Sequence, residues 1–276
     1  MKLKIYGSRG SIPVSHMGPT RYGGNTSCMS LTSKGETLII DAGSGLVNLQ
    51  NDLQAAYPSF PKNIPTQNIL VSHLHLDHII GLGMFKPIFT PTPSVHIYTC
   101  KRTDNLTLKE EIFLPHKPPT WPIDLAAVST IQSTAITILE PFQVGVFTIT
   151  PFYSKHDDIT TSFHITDGEK VCVHLLDSEL PAHSKEEYLT LLHFCKDADI
   201  IIADAAYSTE DYPSHAGWGH STVEHGTDLA RKTNCKQMVF AHLSQHYTDD
   251  DLDSWERHFD DTCIYHIAKD NMELSL

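Results

Sequence analysis

The chain has 276 residues, of which 40% are hydrophobic and 19% charged, with 15 glycines and 16 prolines. This is ordinary globular composition, and it excludes a disordered, collagenous or coiled-coil chain. Twenty Lys and Arg face 33 Asp and Glu, a net charge of −13 with neutral histidine, which disfavours a long nucleic-acid partner, because such binding leans on cations that neutralise phosphates.

No run of 18 apolar residues occurs, so neither a membrane span nor a membrane partner is expected. Met1 to Gly7 reaches a turn within seven residues, without the apolar run and cleavage site of a secretory leader. The expectation is a cytoplasmic protein. Six cysteines stand at 28, 100, 172, 195, 235 and 263, with no Cys-x-x-Cys pair, and read as reduced thiols.

In chain order, Leu3 to Tyr6 reads as a strand, followed by the turn-rich Gly7-Ser8-Arg9-Gly10-Ser11-Ile12-Pro13. The glycine-rich stretch Arg21 to Thr26 leads into a strand over Ser27 to Thr32. A hairpin at Lys34-Gly35 gives a strand over Thr37 to Ile40, which runs into Asp41-Ala42-Gly43. Leu46 to Ala56 is helical. Asn68 to Ser72 is a short apolar strand ending at a histidine cluster. Val95 to Thr99 is a strand followed by a weak helical pattern to about Phe113, and His116 to Asp124 is a proline-rich loop. Ala135 to Leu139, Val144 to Pro151, Ser162 to Thr166 and Val171 to Leu176 have β character. Ser184 to Lys196 is helical, Asp199 to Ala203 is a buried strand, and Thr222 to Thr233 is a helix capped by Ser221 or Thr222. Gln237 to Ala241 is a strand, and Asp249 to His258 a helix whose aspartates read as a solvated start. No linker and no repeat of fixed period interrupts the chain, which reads as one domain over residues 1–276. Strands with helices outside them suggest a layered αββα sandwich.

The strongest chemical signal is Ser72-His73-Leu74-His75-Leu76-Asp77-His78. Residues i and i+2 of an extended segment share a side. His73 and His75 can therefore share one cation, while Asp77 and His78 swing toward a second at the following turn. Imidazole and carboxylate suit Zn²⁺, and also iron and manganese.

His-x-His-x-Asp-His after a short strand resembles the signature of the metallo-β-lactamase superfamily. Three later strand ends supply matching residues: His156, Asp177 and His242. Asp41 to Gly43 matches the family's Asp-x-Gly. The resemblance implies an α/β (α+β) four-layer αββα metallo-β-lactamase sandwich with two divalent ions, Zn²⁺ first, with Mn²⁺ or Fe²⁺ as alternatives. It implies that His73, His75 and His156 hold one ion, that Asp77, His78 and His242 hold the other, and that Asp177 bridges. Two such cations lower the pKa of a shared water toward about 7, so the implied chemistry is hydrolysis by hydroxide. The resemblance also gives Asp77 a second role as acceptor of the water proton. Flavodiiron reductases, with Glu at His75, and class B β-lactamases, with Cys at Asp177, do not fit.

Gly217-Trp218-Gly219-His220-Ser221-Thr222 resembles the His-Ser-Thr motif of the RNase Z-like phosphodiesterase branch, and Ala198 to Ala205 resembles that branch's strand ending in an acid. The implied catalytic residues are Asp77, His220 and Asp204, with Asp204 orienting His220 to assist the leaving oxygen. Gly7 to Ser11 and Arg21 to Ser27 also look like this branch. Arg9 and Arg21 are each open between a phosphate contact and a surface charge. Tyr207 and Trp218 are open between stacking on a base and packing. Asp177 follows His156 by only 21 positions, with no room for the basic arm of the tRNA-processing members. The expectation is therefore a phosphodiesterase for small diesters; resemblance to the armless, cyclic-nucleotide phosphodiesterase-like members implies 3′,5′-cyclic nucleotides first, and resemblance to the branch implies a homodimer. A ribonuclease for RNA 3′ ends, or a thioester or lactone hydrolase, is the alternative. The remaining histidines read as structural, His246 least securely because it follows His242 by four.

Overall fold

The computed structural model describes residues 1–15, 20–92, 94–156 and 159–276. Its first half carries β1 (Lys2–Gly7), β2 (Cys28–Ser33), β3 (Glu36–Ile40), α1 (Leu46–Ala56), β4 (Gln67–Leu70), α2 (Leu76–Ile79), β5 (Val95–Cys100), α3 (Leu108–Ile112) and β6 (Ile131–Ile136). Its second half carries β7 (Phe142–Val144), β8 (Phe147–Tyr153), β9 (Thr161–Thr166), β10 (Val171–Leu175), α4 (Lys185–Cys195), β11 (Ile200–Asp204), α5 (Tyr212–His215), α6 (Val223–Thr233), β12 (Gln237–Ala241), α7 (Asp249–Ser254), β13 (Ile264–Ile267) and β14 (Glu273–Ser275).

The described strands form two seven-stranded sheets, β14-β1-β2-β3-β4-β5-β6 and β13-β12-β11-β10-β9-β8-β7. Each half begins with antiparallel strands and continues with parallel ones joined by crossovers. β1, β2 and β3 pair antiparallel before β3, β4, β5 and β6 pair parallel. β7 to β10 and then β10 to β13 repeat the scheme. The duplication is one of topology, without a sequence repeat. β14 closes the molecule by pairing with β1, Lys2 opposite Ser275.

The period-2 alternation of each strand sends alternate residues to two different cores. Leu38 and Ile40, Ile200 and Ile202, and Val239 and Ala241 meet between the sheets, with Phe147, Ile149 and Phe163. Ile39, Ile69 and Ile97 face outward onto Leu46 and Leu49 of α1 and onto Leu82, Phe85 and Ile88 of the 3₁₀ turns after α2. Ile201, Ala203, Met238 and Phe240 face the opposite way onto α4, α6 and Trp255. Three cores separate four layers, so the αββα sandwich holds. No helix among the described residues is long and apolar enough to cross a membrane.

Several element boundaries differ from the sequence reading. The strand expected over Ala135 to Leu139 starts at Ile131, because parallel pairing with β5 sets Val95 opposite Ile131. Leu139 itself turns left-handed, with φ +66°. The single strand expected over Val144 to Pro151 is a hairpin, since Gly145 takes φ +55° between Val144 and its partner Phe147. The helical pattern after Thr99 shrinks to α3, whose start is fixed by a Thr107–Glu110 capping box. The expected helix from Asp249 ends as α7 and continues as a 3₁₀ turn over Trp255–His258.

Candidate metal centre

The parallel strands end on one edge, where ligands gather in open α/β sheets. His73 follows β4, His156 follows β8, Asp177 follows β10, Asp204 ends β11 and His242 follows β12. α2 places Asp77 and His78 on a short helix where a turn was expected. Four residues here take left-handed backbone: Ser11, Asp41, Asp177 and His242, with φ between +52° and +62°. Such conformations are costly for side chains with a Cβ and cluster at functional sites.

The seven candidate ligands converge in two groups. His73, His75 and His156 offer nitrogen atoms within 4.8 Å of one another, as do the donors of Asp77, His78 and His242. Asp177 lies between them. Its Oδ1 is 3.5 Å from His156 Nε2 and 3.8 Å from His73 Nε2 on one side, and 3.3 Å from His242 Nε2 on the other. Its Oδ2 is 3.1 Å from His78 Nε2.

A second set of residues aims these rings. Asp41 is fully buried and accepts from His78 Nδ1 at 2.7 Å, Ser27 Oγ at 3.0 Å and the Ser72 amide at 2.8 Å. The Gly219 carbonyl accepts from His156 Nδ1 at 3.2 Å. Fixing one ring nitrogen in this way leaves the other free to coordinate. The N-terminal Gly7–Ser11 stretch serves the centre through its backbone. The Ser11 amide donates to Asp77 Oδ2 at 2.7 Å. Gly10 packs so close to the His242 ring that a Cβ there would overlap it.

The aspartates and imidazoles of the centre charge one another: despite their burial, His78 and His242 are raised above the ordinary histidine value by the neighbouring carboxylates. Burial opposes the charge of Asp77 and Asp177, yet the surrounding imidazoles hold both carboxyls well below the usual range. Burial pushes His73 well below its ordinary value, toward the neutral form that coordinates. His73 Nε2 is buried without a hydrogen-bond partner, a state that costs free energy unless something else satisfies the atom. The donor set therefore fits two divalent ions.

His220 and Asp204 form the expected pair. His220 Nδ1 donates to Asp204 Oδ2 at 2.8 Å, and the His220 ring lies 4.9 Å from His242 and 5.0 Å from His156. Asp204 also accepts from the amides of Ser221, Ala206 and Asp177. Burial opposes a charge on His220, but Asp204, Asp177 and Asp77 together push its pKa up to about 9. The chain enters α6 directly after it, capped by Thr222.

Other sequence candidates fall elsewhere. Arg9 is fully buried and donates to the carbonyls of Gly23, Ser244 and Tyr247, so it is a structural clamp with no face toward a phosphate. Arg21 is spent on Asp249, Asp250 and Asp253, which bind the N-terminal loop to α7 and are more than a solvated helix start. Tyr207 stacks on His215 at 4.2 Å and meets the His220 ring edge-on at 5.8 Å, while Trp218 is 61% exposed beside His215. His246 is exposed and bonds Gln245 outside the cluster. Sequence reasoning missed Glu179, a buried carboxylate two residues after Asp177.

Comparison with known proteins agrees with this geometry. Residues 36–243 match the model of the beta-lactamase superfamily domain. The ribonuclease Z of Methanosarcina mazei is 23% identical over 319 aligned positions, covering 100% of this chain and 98% of that protein. The solved structure of the metallo-beta-lactamase fold protein YhfI from Bacillus subtilis superposes with TM-score 0.73 at 19% identity, covering 99% of both chains. A diphosphatase of the PhnP family gives TM-score 0.70 at 16% identity, covering 100% of this chain and 97% of that one. At these identities the structural likenesses show the fold.

Proposed function

Because the chain belongs to the beta-lactamase superfamily, we propose that it is a dinuclear metal-dependent phosphodiesterase of the RNase Z-like kind, acting on small phosphodiesters, 3′,5′-cyclic nucleotides first. His73, His75 and His156 would hold one divalent ion and Asp77, His78 and His242 the second, with Asp177 between the two groups. The ions, when bound, supply Lewis acidity toward the phosphoryl oxygens and make hydroxide accessible near neutral pH.

The observation that carries the reading is the Asp204–His220 pair beside the cluster. A carboxylate at Nδ1 holds the imidazole in one orientation and favours its cationic form. Nδ1 is committed to Asp204, so Nε2 holds the proton that passes to the departing oxygen. Without that proton an alkoxide leaves slowly, and such assistance contributes typically about 10² to 10⁴ in rate. The Ser11 amide donates to Asp77 Oδ2 at 2.7 Å, which supports a second role for Asp77 as acceptor of the proton of the attacking water.

Two observations favour a small substrate. The segment between His156 and Asp177 is spent on β9 and β10, which leaves no arm to grip an RNA body. The net charge of −13 also repels a polyanion. A second reading, cleavage of RNA 3′ ends, is favoured by the name ribonuclease Z of relatives matched along their whole length.

The test is a panel of 3′,5′-cyclic nucleotides and a small structured RNA with a 3′ extension. It is run beside bis-p-nitrophenyl phosphate, before and after chelation, on wild type and His220→Ala. Turnover of a cyclic nucleotide, abolished by chelation and crippled in His220→Ala, supports the proposal. Cleavage of the RNA alone overturns the small-substrate reading, and inertness toward every diester with both metals bound overturns the phosphodiesterase reading.

A further inference from the structure

Glu179 is 4% exposed and has no cation against it among the described contacts. Its carboxylate is spent on one loop. Oε1 accepts from the Gly217 amide at 2.8 Å and from Tyr212 Oη at 2.7 Å. Oε2 accepts from the Gly217 and Gly219 amides, both at 3.0 Å. Its own amide donates to the Lys155 carbonyl at 2.9 Å, one residue before His156.

The loop it grips bears directly on both sides of the centre. The Gly219 carbonyl orients His156 Nδ1 at 3.2 Å, and Gly219 packs so tightly on the His156 ring that a Cβ would overlap it. The next residue is His220. Gly217 and Gly219 take φ of +87° and +82°, and a glycine backbone with this freedom needs an external hold to stay in one shape. Two backbone N–H groups turned onto one carboxylate supply that hold, since charge-assisted bonds are shorter and stronger than neutral ones.

We infer that Glu179 is a positioning residue for the reaction: it fixes the Gly217–Gly219 backbone and through it aims His156 at its cation and His220 at the departing oxygen. It touches neither substrate nor cation itself. The kinetic part of this inference rests on the phosphodiesterase reading above, and the metal part does not.

The test compares Glu179→Ala, Glu179→Gln, His220→Ala and the Glu179→Ala/His220→Ala double variant at saturating zinc, with zinc affinity measured separately by competition with a chromogenic chelator. Glu179→Ala is expected to lower kcat by about 10-fold or more with KM within about threefold, the pattern of a group acting in the transition state. Zinc binding should weaken by about 10-fold, as for other outer partners of coordinating histidines. Glu179→Gln should recover most of both, because its oxygen can keep the Gly217 and Gly219 amides while its NH₂ donates to Tyr212. Added to His220→Ala, Glu179→Ala should cost no more than about a further threefold in kcat, since residues acting as a unit are not additive. Full additivity together with unchanged zinc affinity overturns the inference, as does a Glu179→Ala protein that behaves like wild type. If Glu179→Ala does not fold, Glu179→Asp carries the same expectation at smaller size, and a Glu179→Asp protein with wild-type kcat and zinc affinity overturns it. A wild type that hydrolyses no diester contradicts the phosphodiesterase reading instead, and zinc affinity alone then decides the role of Glu179.

Discussion

Asp204→Asn breaks the proton-delivering pair with little change in shape, at the cost of the acceptor for the Asp177 amide. Asp204 Oδ1 accepts from the Ser221 and Ala206 amides at 2.9 and 3.0 Å, and asparagine can keep both with its oxygen. Its NH₂ then replaces Oδ2, which accepts from His220 Nδ1 at 2.8 Å and from the Asp177 amide at 3.1 Å. His220 must turn its Nδ1 into an acceptor and become a neutral imidazole, which is a far weaker acid at Nε2. The lost charge-assisted bond is worth about 1.5–3 kcal/mol, and each 1.36 kcal/mol is tenfold in rate. The expected fall in kcat is therefore about 10- to 150-fold on a substrate with an alkoxide leaving group. Bis-p-nitrophenyl phosphate releases a stable aryloxide that needs no proton, so it should lose much less. Parallel kinetics on a cyclic nucleotide and this aryl diester, with metal content checked, make the comparison. Equal losses on the two substrates, or none on either, would refute the role given to Asp204 and His220.

Gly10→Ala drives a methyl group into the His242 ring; purified protein should hold fewer than two metals per chain and lose diesterase activity, measured by elemental analysis beside turnover. Asp41→Asn removes the carboxylate behind His78 and should weaken metal binding by about 10- to 100-fold, read by chelator competition; undiminished affinity would show that Asp41 only supports the fold. Arg9→Met strips three carbonyls, one of them in a buried bond, of their donor and should destabilise the protein by about 3 kcal/mol in urea unfolding. Arg21→Ala should leave the urea-unfolding midpoint nearly unchanged, because exposed ion pairs contribute little, and should leave KM for the diester unaltered. A raised KM in Arg21→Ala would restore a phosphate contact there.

The candidate centre was legible because its chemistry is local. His73, His75, Asp77 and His78 lie within six residues, and His156, Asp177 and His242 each follow an apolar strand that is easy to read. Asp204 and His220 were legible only through the resemblance of Ala198 to Ala205 and Gly217 to Thr222 to the RNase Z-like branch. The helpers were harder. Glu179 is one acid among many, and only the fold turns it onto the Gly217 and Gly219 amides. Arg9 resembles a phosphate ligand in a glycine-rich loop, but three carbonyls from distant segments enclose it. β14 is three residues long and pairs with the start of the chain, a contact that no local pattern announces. The hairpin at Gly145 was hidden because β-branched residues flank it on both sides.

The proposed reaction needs a pair of cations acting together on a phosphodiester. Its most direct test is to strip the protein of metal and add zinc back in measured equivalents while following bis-p-nitrophenyl phosphate hydrolysis. Activity should climb with added zinc and reach its plateau only at two equivalents per chain. Full activity at one equivalent, or undiminished activity in the stripped protein, would contradict it.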